Sequence, residues 1–276
     1  MKRDHSPIAL SVNLNKIALI RNSRPGNNPD LLDYARQLLI AGANGLTVHP
    51  RPDQRHIRPE DCYQIKAMLD ELNHSRDQSM IEFNIEGNPF AQFCAAPRDD
   101  FNNYPGFIEI LAKAQPNQAT LVPDSDSQLT SDHGFDLSGE TTALEKIIAK
   151  IHQLGCRVSL FMDPDPEQIR RAKDIGADRI ELYTGPYADA FTEALLSGST
   201  SHVDRLFKQH VRAAEQAEKL GLGVNAGHDL NLQNLSQYRQ LPHLLEASIG
   251  HALTIDSPQL GSDKAITAYC AILHYV

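Results

Sequence analysis

The segment from residue 141 to residue 183 reads TTALEKIIAKIHQLGCRVSLFMDPDPEQIRRAKDIGADRIELY and contains one pattern twice. In each copy an amphipathic run of helix length ends at a glycine, Gly155 or Gly176, and a short apolar run of strand length follows. A glycine just past a helix end typically adopts the left-handed conformation that terminates the helix. Helices and strands that alternate in this way predict a parallel β-sheet covered by helices.

The same alternation repeats eight times along the chain. Eight βα units in 276 residues favour a closed (β/α)₈ TIM barrel over an open doubly wound sheet. No Gly-x-Gly-x-x-Gly fingerprint follows the first strand and no linker divides the sequence, so we expect one α/β domain spanning residues 1–276. The predicted strands are 8–14, 44–49, 80–85, 118–122, 156–162, 178–183, 222–226 and 245–249. The predicted helices are about 30–41, 59–73, 104–114, 141–154, 165–174, 202–220, 231–240 and 262–274.

Composition and charge narrow the possible functions. The formal net charge of −9 argues against a general nucleic-acid surface. The sequence contains no run of about 18 apolar residues, so it predicts no membrane span. The N-terminus also lacks the apolar stretch of a signal peptide. The cysteines are dispersed, with no metal-binding spacing and no disulfide framework, which is typical of a cytoplasmic protein. They are Cys62, Cys94, Cys156 and Cys270.

Residues 46–57, LTVHPRPDQRHI, combine a short strand with a loop rich in histidine and arginine. His49 and His56 titrate near neutral pH, and Arg51 and Arg55 are fixed cations with bidentate donors. Two prolines in the loop lower the entropy cost of holding these side chains in one pose. The mixture suits proton transfer on an anionic, phosphorylated substrate, and the alternative is a solvated basic loop.

Several predicted strands alternate polar and apolar residues, although both faces of a parallel barrel strand are usually apolar. In IEFNIE, residues 81–86, Glu82 and Glu86 share one face, which period-2 geometry places inside the barrel, and Glu181 is placed inside in the same way. Carboxylates there are costly unless they are paired or used. The alternative to a functional role is a structural ion pair, such as Glu82 with Arg179. The other predicted inward residues are Ser11, Asn13, Asn15, Thr47, His49 and Asn84.

The last two predicted strands each end in a Gly-His pair, Gly227-His228 and Gly250-His251. The loops after strands seven and eight of many barrels bind phosphate through backbone amides, and glycine permits that close approach. Together with His49, these two histidines could instead bind a metal ion. Nearby arginines would repel such a cation.

Four loops complete the sequence-based picture. Residues 87–103 and 184–201 exceed ordinary βα loops, and loops of that length in a compact domain are usually functional or mobile. Arg24, in the first loop at 21–28, adds an arginine at the same end of the barrel. Thr130 follows the fourth predicted strand and could bind a hydroxyl or phosphate, or lie in an ordinary turn.

The ordered set of motifs resembles the family of pyridoxine 5'-phosphate synthases of the deoxyxylulose-dependent vitamin B6 pathway. The resemblance covers nearly the whole chain, and the ordered set is specific although each motif alone is weak. It implies a (β/α)₈ barrel with extra helices, assembled as an octamer that is a tetramer of dimers. The motifs are SVNL (11–14), RNSR (21–24), GLTVH (45–49), RHI (55–57), NIE (84–86), LVP (121–123), VSLF (158–161), IEL (180–182), VNAGH (224–228) and IGHA (249–252).

The resemblance implies condensation of 3-amino-2-oxopropyl phosphate with 1-deoxy-D-xylulose 5-phosphate, releasing inorganic phosphate and water as the pyridine ring closes. His49 and Glu86 would be proton acceptors and His228 a proton donor, and Glu181 would stabilise cationic species. No metal or organic cofactor is implied. The aminoketone phosphate would be held by Asn13, Arg24, Asp229, Gly250 and His251. The deoxyxylulose phosphate would be held by Arg51, His56 and Thr130, and the pair Asn15-Lys16 would also bind substrate.

Two departures from the family pattern stand out. The family commonly has Asp-His where this chain has Asn15-Lys16; Lys16 can still donate to an oxygen, but Asn15 cannot act as a base. Asp229 stands where glycine is frequent. Two other functions compete with the synthase: a metal-dependent lyase or hydrolase using His49, His228 and His251, and a catalytically silent phosphate-binding barrel.

Overall fold

The protein is described by a computed structural model that covers residues 7–76, 79–125 and 128–274. The prediction that the N-terminus lacks a signal peptide falls mainly on residues 1–6, which lie outside the described residues. Among the described helices, none is long and apolar enough to cross a membrane.

Eight parallel strands form a closed barrel in which each strand pairs with its neighbours in sequence and the last pairs with the first. This confirms the (β/α)₈ TIM barrel predicted from the repeated helix–glycine–strand pattern. The strands are β1 (Ala9–Asn13), β2 (Gly45–Val48), β3 (Glu82–Gly87), β4 (Gln118–Leu121), β5 (Arg157–Met162), β6 (Arg179–Tyr183), β7 (Gly223–Gly227) and β8 (Leu244–Ile249).

Eleven helices lie within the described residues, and three of the connections, after β1, β6 and β8, hold two helices instead of one. The expectation of extra helices is therefore correct. The helices are α1 (Asn15–Asn22), α2 (Leu31–Ile40), α3 (Pro59–His74), α4 (Phe107–Ala114), α5 (Thr142–Gln153), α6 (Pro166–Asp174), α7 (Gly185–Ser197), α8 (Ser201–Lys219), α9 (Leu235–Tyr238), α10 (His251–Leu260) and α11 (Ser262–His274).

Three segments without a predicted helix are in fact helical: α1, α7 and α10. The first predicted strand ends at Asn13, because its side-chain Oδ1 accepts the backbone N–H of Asn15 at 3.0 Å and turns the chain into α1. The predicted loop 184–201 contains α7, which begins with a proline in its first turn and ends at Gly198 in the left-handed conformation. The sequence contains both of these signals, but segments of this length were also compatible with long loops.

The barrel interior is polar between β1 and β4, as the alternation predicted. The hydroxyls of Ser11 and Thr47 lie 2.7 Å apart, and Asn84 donates to Thr47 Oγ1 at 3.3 Å. Thr120 donates to Asn84 Oδ1 at 3.0 Å, so the chain of hydrogen bonds crosses four strands. The residues between these polar positions, such as Phe83, face outward and are fully buried in the core.

The end of the barrel at the amino ends of the strands carries an ion-pair network. The predicted pairing of Glu82 with Arg179 is wrong, because Glu82 pairs with Arg157 on β5 instead. Arg179 lies 4.0 Å from Glu246 and donates to Asn225 Oδ1 at 3.2 Å. Glu82 is therefore a structural residue, as the alternative reading held, although its partner differs.

Candidate active site

The carboxyl ends of β1, β2 and β3 bring together three of the predicted site residues. His49 Nδ1 lies 3.9 Å from Glu86 Oε2, and Asn13 donates to the same Glu86 oxygen at 3.3 Å. Asn15 Oδ1 accepts the backbone N–H of His49 at 2.9 Å, which fixes the start of the loop after β2. His49 and Glu86 are 6% and 9% exposed, so both can be reached from the barrel opening but are largely removed from water.

Burial shifts the pKa values of these two groups in opposite directions. Desolvation raises the pKa of Glu86 well above its ordinary value, and the charges of Glu181, Asp124 and Glu246 add to the effect. Desolvation lowers the pKa of His49 well below its ordinary value, and nearby His56 adds to this. At neutral pH His49 is therefore uncharged with a free lone pair, and Glu86 is a strong base once ionised.

A second buried carboxyl, Glu181 on β6, lies deeper in the barrel. Desolvation raises its pKa to about 8, with Glu246 on β8 as the second cause. Desolvation also raises the pKa of Glu246 to about 7. A Cβ at position 227 would collide with Glu181 Oε1, so a larger residue there would displace this carboxyl. Glu181 Oε2 is buried without a hydrogen-bond partner among the described residues, so it can accept from a bound molecule.

His228 follows β7 in a turn that the surrounding residues hold tightly. Its backbone φ is +85°, a left-handed value that is uncommon outside glycine. The hydroxyl of buried Thr184 contacts its carbonyl oxygen. The imidazole meets the ring of Tyr183 edge-on, with 5.4 Å between ring centroids, and its Nε2 lies 2.8 Å from Thr130 Oγ1. Thr130 thus reaches the site from the loop after β4.

The loop after β2, residues 49–58, is called the His-Arg loop below. The reading of this loop as solvated is wrong, because Arg51 is 4% exposed and its guanidinium bonds Asp124 at 2.9 Å and the Ser125 carbonyl at 2.8 Å. Arg55 donates to the carbonyl of Gln128 at 3.1 Å. These arginines tie the His-Arg loop to the loop after β4.

His56 is held as a neutral donor within the same loop. Desolvation lowers its pKa to about 3, and Arg51 is the next cause. Its Nδ1 accepts the backbone N–H of Ile57 at 3.0 Å, so the proton of the neutral ring resides on Nε2. The ring centroid lies 6.0 Å from that of His49, which places the two imidazoles side by side.

A buried ion pair anchors the His-Arg loop from below. Arg21 at the end of α1 is 2% exposed and binds Asp61 of α3 through two hydrogen bonds of 2.6 and 2.9 Å. The amide of Asn22 donates to the carbonyl oxygens of Gln54 and His56 at 3.1 and 2.7 Å. The sequence analysis placed Arg21 in the first loop, at 21–28. The structure places it at the end of α1, where its role is structural.

The long loop at residues 87–103, called the insertion below, packs against the outer side of the His-Arg loop. The Gln54 side chain, fully buried, donates to the Asn102 carbonyl at 2.7 Å. Phe101 lies between two guanidinium groups, with Arg58 4.0 Å and Arg98 4.6 Å from its ring centroid. The insertion therefore braces the loop that carries His56.

The end of β8 and the start of α10 form the opposite wall of the opening. A Cβ at Gly250 would lie 2.9 Å from the Cβ of Asn13, so only glycine permits this close packing. Among the described residues no side chain caps the N-terminus of α10 at Gly250, which leaves its first N–H groups available to an anion. His251 is exposed there, Lys16 is half-buried in α1, and Arg24 is exposed in the turn after α1.

Two buried carboxylates and one ring that contribute to the site or to its electrostatics escaped the sequence reasoning. Asp124 follows β4 and binds Arg51, and this pairing joins loops 73 residues apart with no local pattern to reveal it. Glu246 and Tyr183 lie on β8 and β6. The alternation of Glu246 and Ser248 with apolar neighbours was the available signal for Glu246.

The fold and site define a class: a (β/α)₈ barrel enzyme whose acid–base groups cluster at the carboxyl ends of the strands. The profile of the family described as "Pyridoxal phosphate biosynthesis protein PdxJ" matches residues 10–275. The chain therefore belongs to the PdxJ family, and the family identified from the motifs is correct.

Named relatives agree with this membership. A pyridoxine 5'-phosphate synthase from Xanthomonas axonopodis pv. citri (strain 306) is 49% identical over 265 residues, 96% of this chain and 96% of that protein. The synthase of the same name from Brucella anthropi is 44% identical over 268 residues, 97% of this chain and 99% of that protein. The chain is thus an enzyme of a family that serves pyridoxal phosphate biosynthesis.

Solved structures support the fold alone. Tryptophan synthase from M. tuberculosis superposes with a TM-score of 0.58 at 11% identity, covering 98% of this chain and 94% of that chain. Phosphoribosyl anthranilate isomerase from Thermococcus kodakaraensis gives 0.54 at 11% identity, covering 98% of this chain and all of the other. Such low identities carry no information about substrate.

Proposed function

We propose that this chain synthesises pyridoxine 5'-phosphate, the activity for which its relatives are named, by condensing 3-amino-2-oxopropyl phosphate with 1-deoxy-D-xylulose 5-phosphate. The observation that carries the proposal is the pair His49 and Glu86, 3.9 Å apart and both largely buried, at the carboxyl ends of β2 and β3. Imine formation, eliminations and ring closure each need a proton moved. Neutral His49 can accept one, and Glu86 can accept one whenever its carboxyl is ionised.

The two acceptors differ in strength. His49 is uncharged at neutral pH because burial lowers its pKa, so it takes up a proton without first losing one. Glu86 has a raised pKa because of burial, so its carboxylate binds a carbon-derived proton more tightly than an exposed carboxylate does. Asn13 holds the Glu86 oxygen through its amide, and the same residue is proposed to bind the aminoketone phosphate.

The opposite side of the opening supplies the donor and the charge stabiliser. His228 would donate a proton through Nε2, which now faces Thr130 Oγ1 at 2.8 Å. Glu181, with a pKa raised to about 8, is mainly protonated at neutral pH. A cationic imine formed beside it would draw the carboxyl into its ionised form, so the charge is compensated only when it develops.

Two phosphates require two binding regions. The free N–H groups at the start of α10, with Gly250, His251, Asp229 and Arg24, would hold the aminoketone phosphate. The Nε2–H of His56, with Arg51 and Thr130, would hold the deoxyxylulose phosphate, and Asn15 and Lys16 at the start of α1 would also contact substrate. Lys16 is close enough for its charge to act on both His56 and Asp229.

The metal-dependent alternative makes a different demand on the same residues. It requires His49, His228 and His251 to converge, and within residues 7–76, 79–125 and 128–274 no three His, Cys, Asp or Glu side chains form a metal-binding group. A steady-state assay with both substrates tests the two ideas. We expect turnover to be unchanged by a chelator. Loss of turnover with the chelator and its return with a divalent ion would overturn the proposal.

We further propose that the chain forms a single domain, works in the cytoplasm and assembles as an octamer built from four dimers. The family resemblance supports the assembly, as does the exposure of Leu195 and Leu196 at the end of α7, the first of the two helices between β6 and β7. Light scattering of the purified protein should give about eight times the chain mass of 30.6 kDa. A monomer or dimer mass at micromolar concentration would reject the octamer.

A further inference from the structure

We infer that the side chain of Asp229 is a positioning residue for His228, fixing which ring nitrogen faces the substrate. Asp229 Oδ2 lies 2.6 Å from His228 Nδ1. This inference rests on the proposed function, in which His228 donates a proton. It adds a role for the Asp229 side chain, whereas glycine, the residue frequent at this position in the family, could contribute only its backbone.

The direction of the hydrogen bond follows from the chemistry of the carboxylate. The hydrogen bond from His228 lowers the pKa of Asp229, so Asp229 is ionised and can only accept. The ring proton therefore resides on Nδ1. Nε2 is left facing Thr130 Oγ1 at 2.8 Å and the barrel opening, where it is bare in the neutral ring and a donor in the charged one.

The backbone of this turn supports a role for the side chain. His228 and Asp229 have φ values of +85° and +54°, two consecutive left-handed residues of which neither is glycine. Such conformations persist where the surroundings fix them, and they cluster at functional sites. Thr184 holds the His228 carbonyl, and fully buried Asn234 donates to the Asp229 carbonyl at 3.1 Å. Glycine would relieve the strain at 229 but would remove the carboxylate.

The charged groups around Asp229 come from two other elements and from its own turn. Lys16 on α1 and His251 at the start of α10 both act on it electrostatically, in addition to His228 on its own turn. Of these three groups, His228 is the one that hydrogen-bonds the carboxylate among the described residues. The geometry thus resembles the general arrangement in which a carboxylate orients an imidazole that transfers protons.

The experiment compares Asp229→Gly and Asp229→Asn with the intact enzyme. Glycine keeps the backbone amide and accepts the left-handed conformation, so KM for the aminoketone phosphate should change little while kcat falls by roughly 10- to 1,000-fold. Asparagine retains a neutral acceptor and should recover part of the loss. The matched control is Asp178→Asn, which alters an Asp–His pair at 2.8 Å with His152 at the opposite end of the barrel and should leave kcat unchanged.

A second readout does not depend on turnover. In protein labelled with ¹⁵N-histidine, the neutral His228 ring should carry its proton on Nδ1, and in Asp229→Gly it should become a mixture of tautomers. Wild-type kcat in Asp229→Gly together with an unchanged tautomer would overturn the inference and leave the synthase proposal standing. If the wild-type protein makes no product, the synthase proposal fails, and the tautomer alone decides whether Asp229 orients His228.

Discussion

At the scale of single residues, the site depends on burial that moves neighbouring pKa values apart. Glu86 and His49 lie within 4 Å of each other, yet desolvation raises the pKa of one and lowers that of the other. Both therefore tend toward their uncharged forms before substrate binds. A pair of this kind can exchange protons with a substrate without holding a net charge in a dry pocket.

Glu86→Gln tests this pair at one atom. The amide keeps the shape but cannot accept a proton, so kcat should fall by ~10²–10⁴ while the melting temperature stays near that of the wild type. Glu82→Gln is the matched control, because it is the same substitution on the same face of β3 at the other end of the barrel, paired with Arg157. Equal turnover in the wild type and Glu86→Gln would remove Glu86 from the mechanism.

At the scale of elements, the site is assembled from loops that brace one another. The His-Arg loop is held by Arg21 and Asp61 on one side, by the loop after β4 on another, and by the insertion on the third. Most of these contacts join segments far apart in sequence. The insertion, which lies outside the repeated βα pattern, is therefore connected through Gln54 and Phe101 to the loop that is proposed to bind substrate.

Phe101→Ala tests the insertion as a brace. Removing the ring deletes two cation–π contacts, each worth about 0.5–1 kcal/mol. KM for deoxyxylulose phosphate should rise by roughly 3- to 10-fold because the loop carrying His56 is less well held, with kcat little changed. Phe93→Ala is the control, since Phe93 is 66% exposed in the same insertion. Equal KM values in both variants would show that the insertion does not support the loop.

The sequence predicted elements better than it predicted the contacts between them. Period-2 alternation placed Glu86 and Glu181 inside the barrel, and the glycine after each helix marked strand starts such as that of β5. The pairing of Arg51 with Asp124 and of Glu82 with Arg157 could not be foreseen, because partners across strands depend on barrel register and not on local periodicity. The sequence analysis did not predict helix α7, because the length of the segment 184–201 was compatible with a long loop as well as with a helix.

At the scale of the whole molecule, a barrel interior with three buried carboxyls costs stability. These are Glu86, Glu181 and Glu246, and desolvation raises the pKa of each. A hydrophobic interior would avoid the cost, since barrel interiors are usually filled with branched apolar side chains. Glu246 is partly compensated by Arg179, 4.0 Å away, whereas Glu86 and Glu181 fit a functional role in which stability is given up for reactivity.

The pH dependence of stability measures this cost for Glu181. Its pKa is about 8 when folded and near the ordinary 4.5 when unfolded, so between these pH values the folded state binds the extra proton. Stability from this group is full below about pH 4.5 and is lost as pH rises toward 8. Glu181→Gln should therefore raise the melting temperature more at pH 9 than at pH 5. The same difference at both pH values would contradict a raised pKa.

The most direct test of the central claim is the stoichiometry of a single reaction. Purified protein is incubated with both phosphorylated substrates, and pyridoxine 5'-phosphate, identified by mass, is measured alongside released inorganic phosphate. Ring closure coupled to loss of one phosphate predicts equal amounts of the two throughout the time course. Release of phosphate without the ring product, or neither product while both substrates bind, would contradict the assignment of this barrel as an acid–base ring-forming synthase.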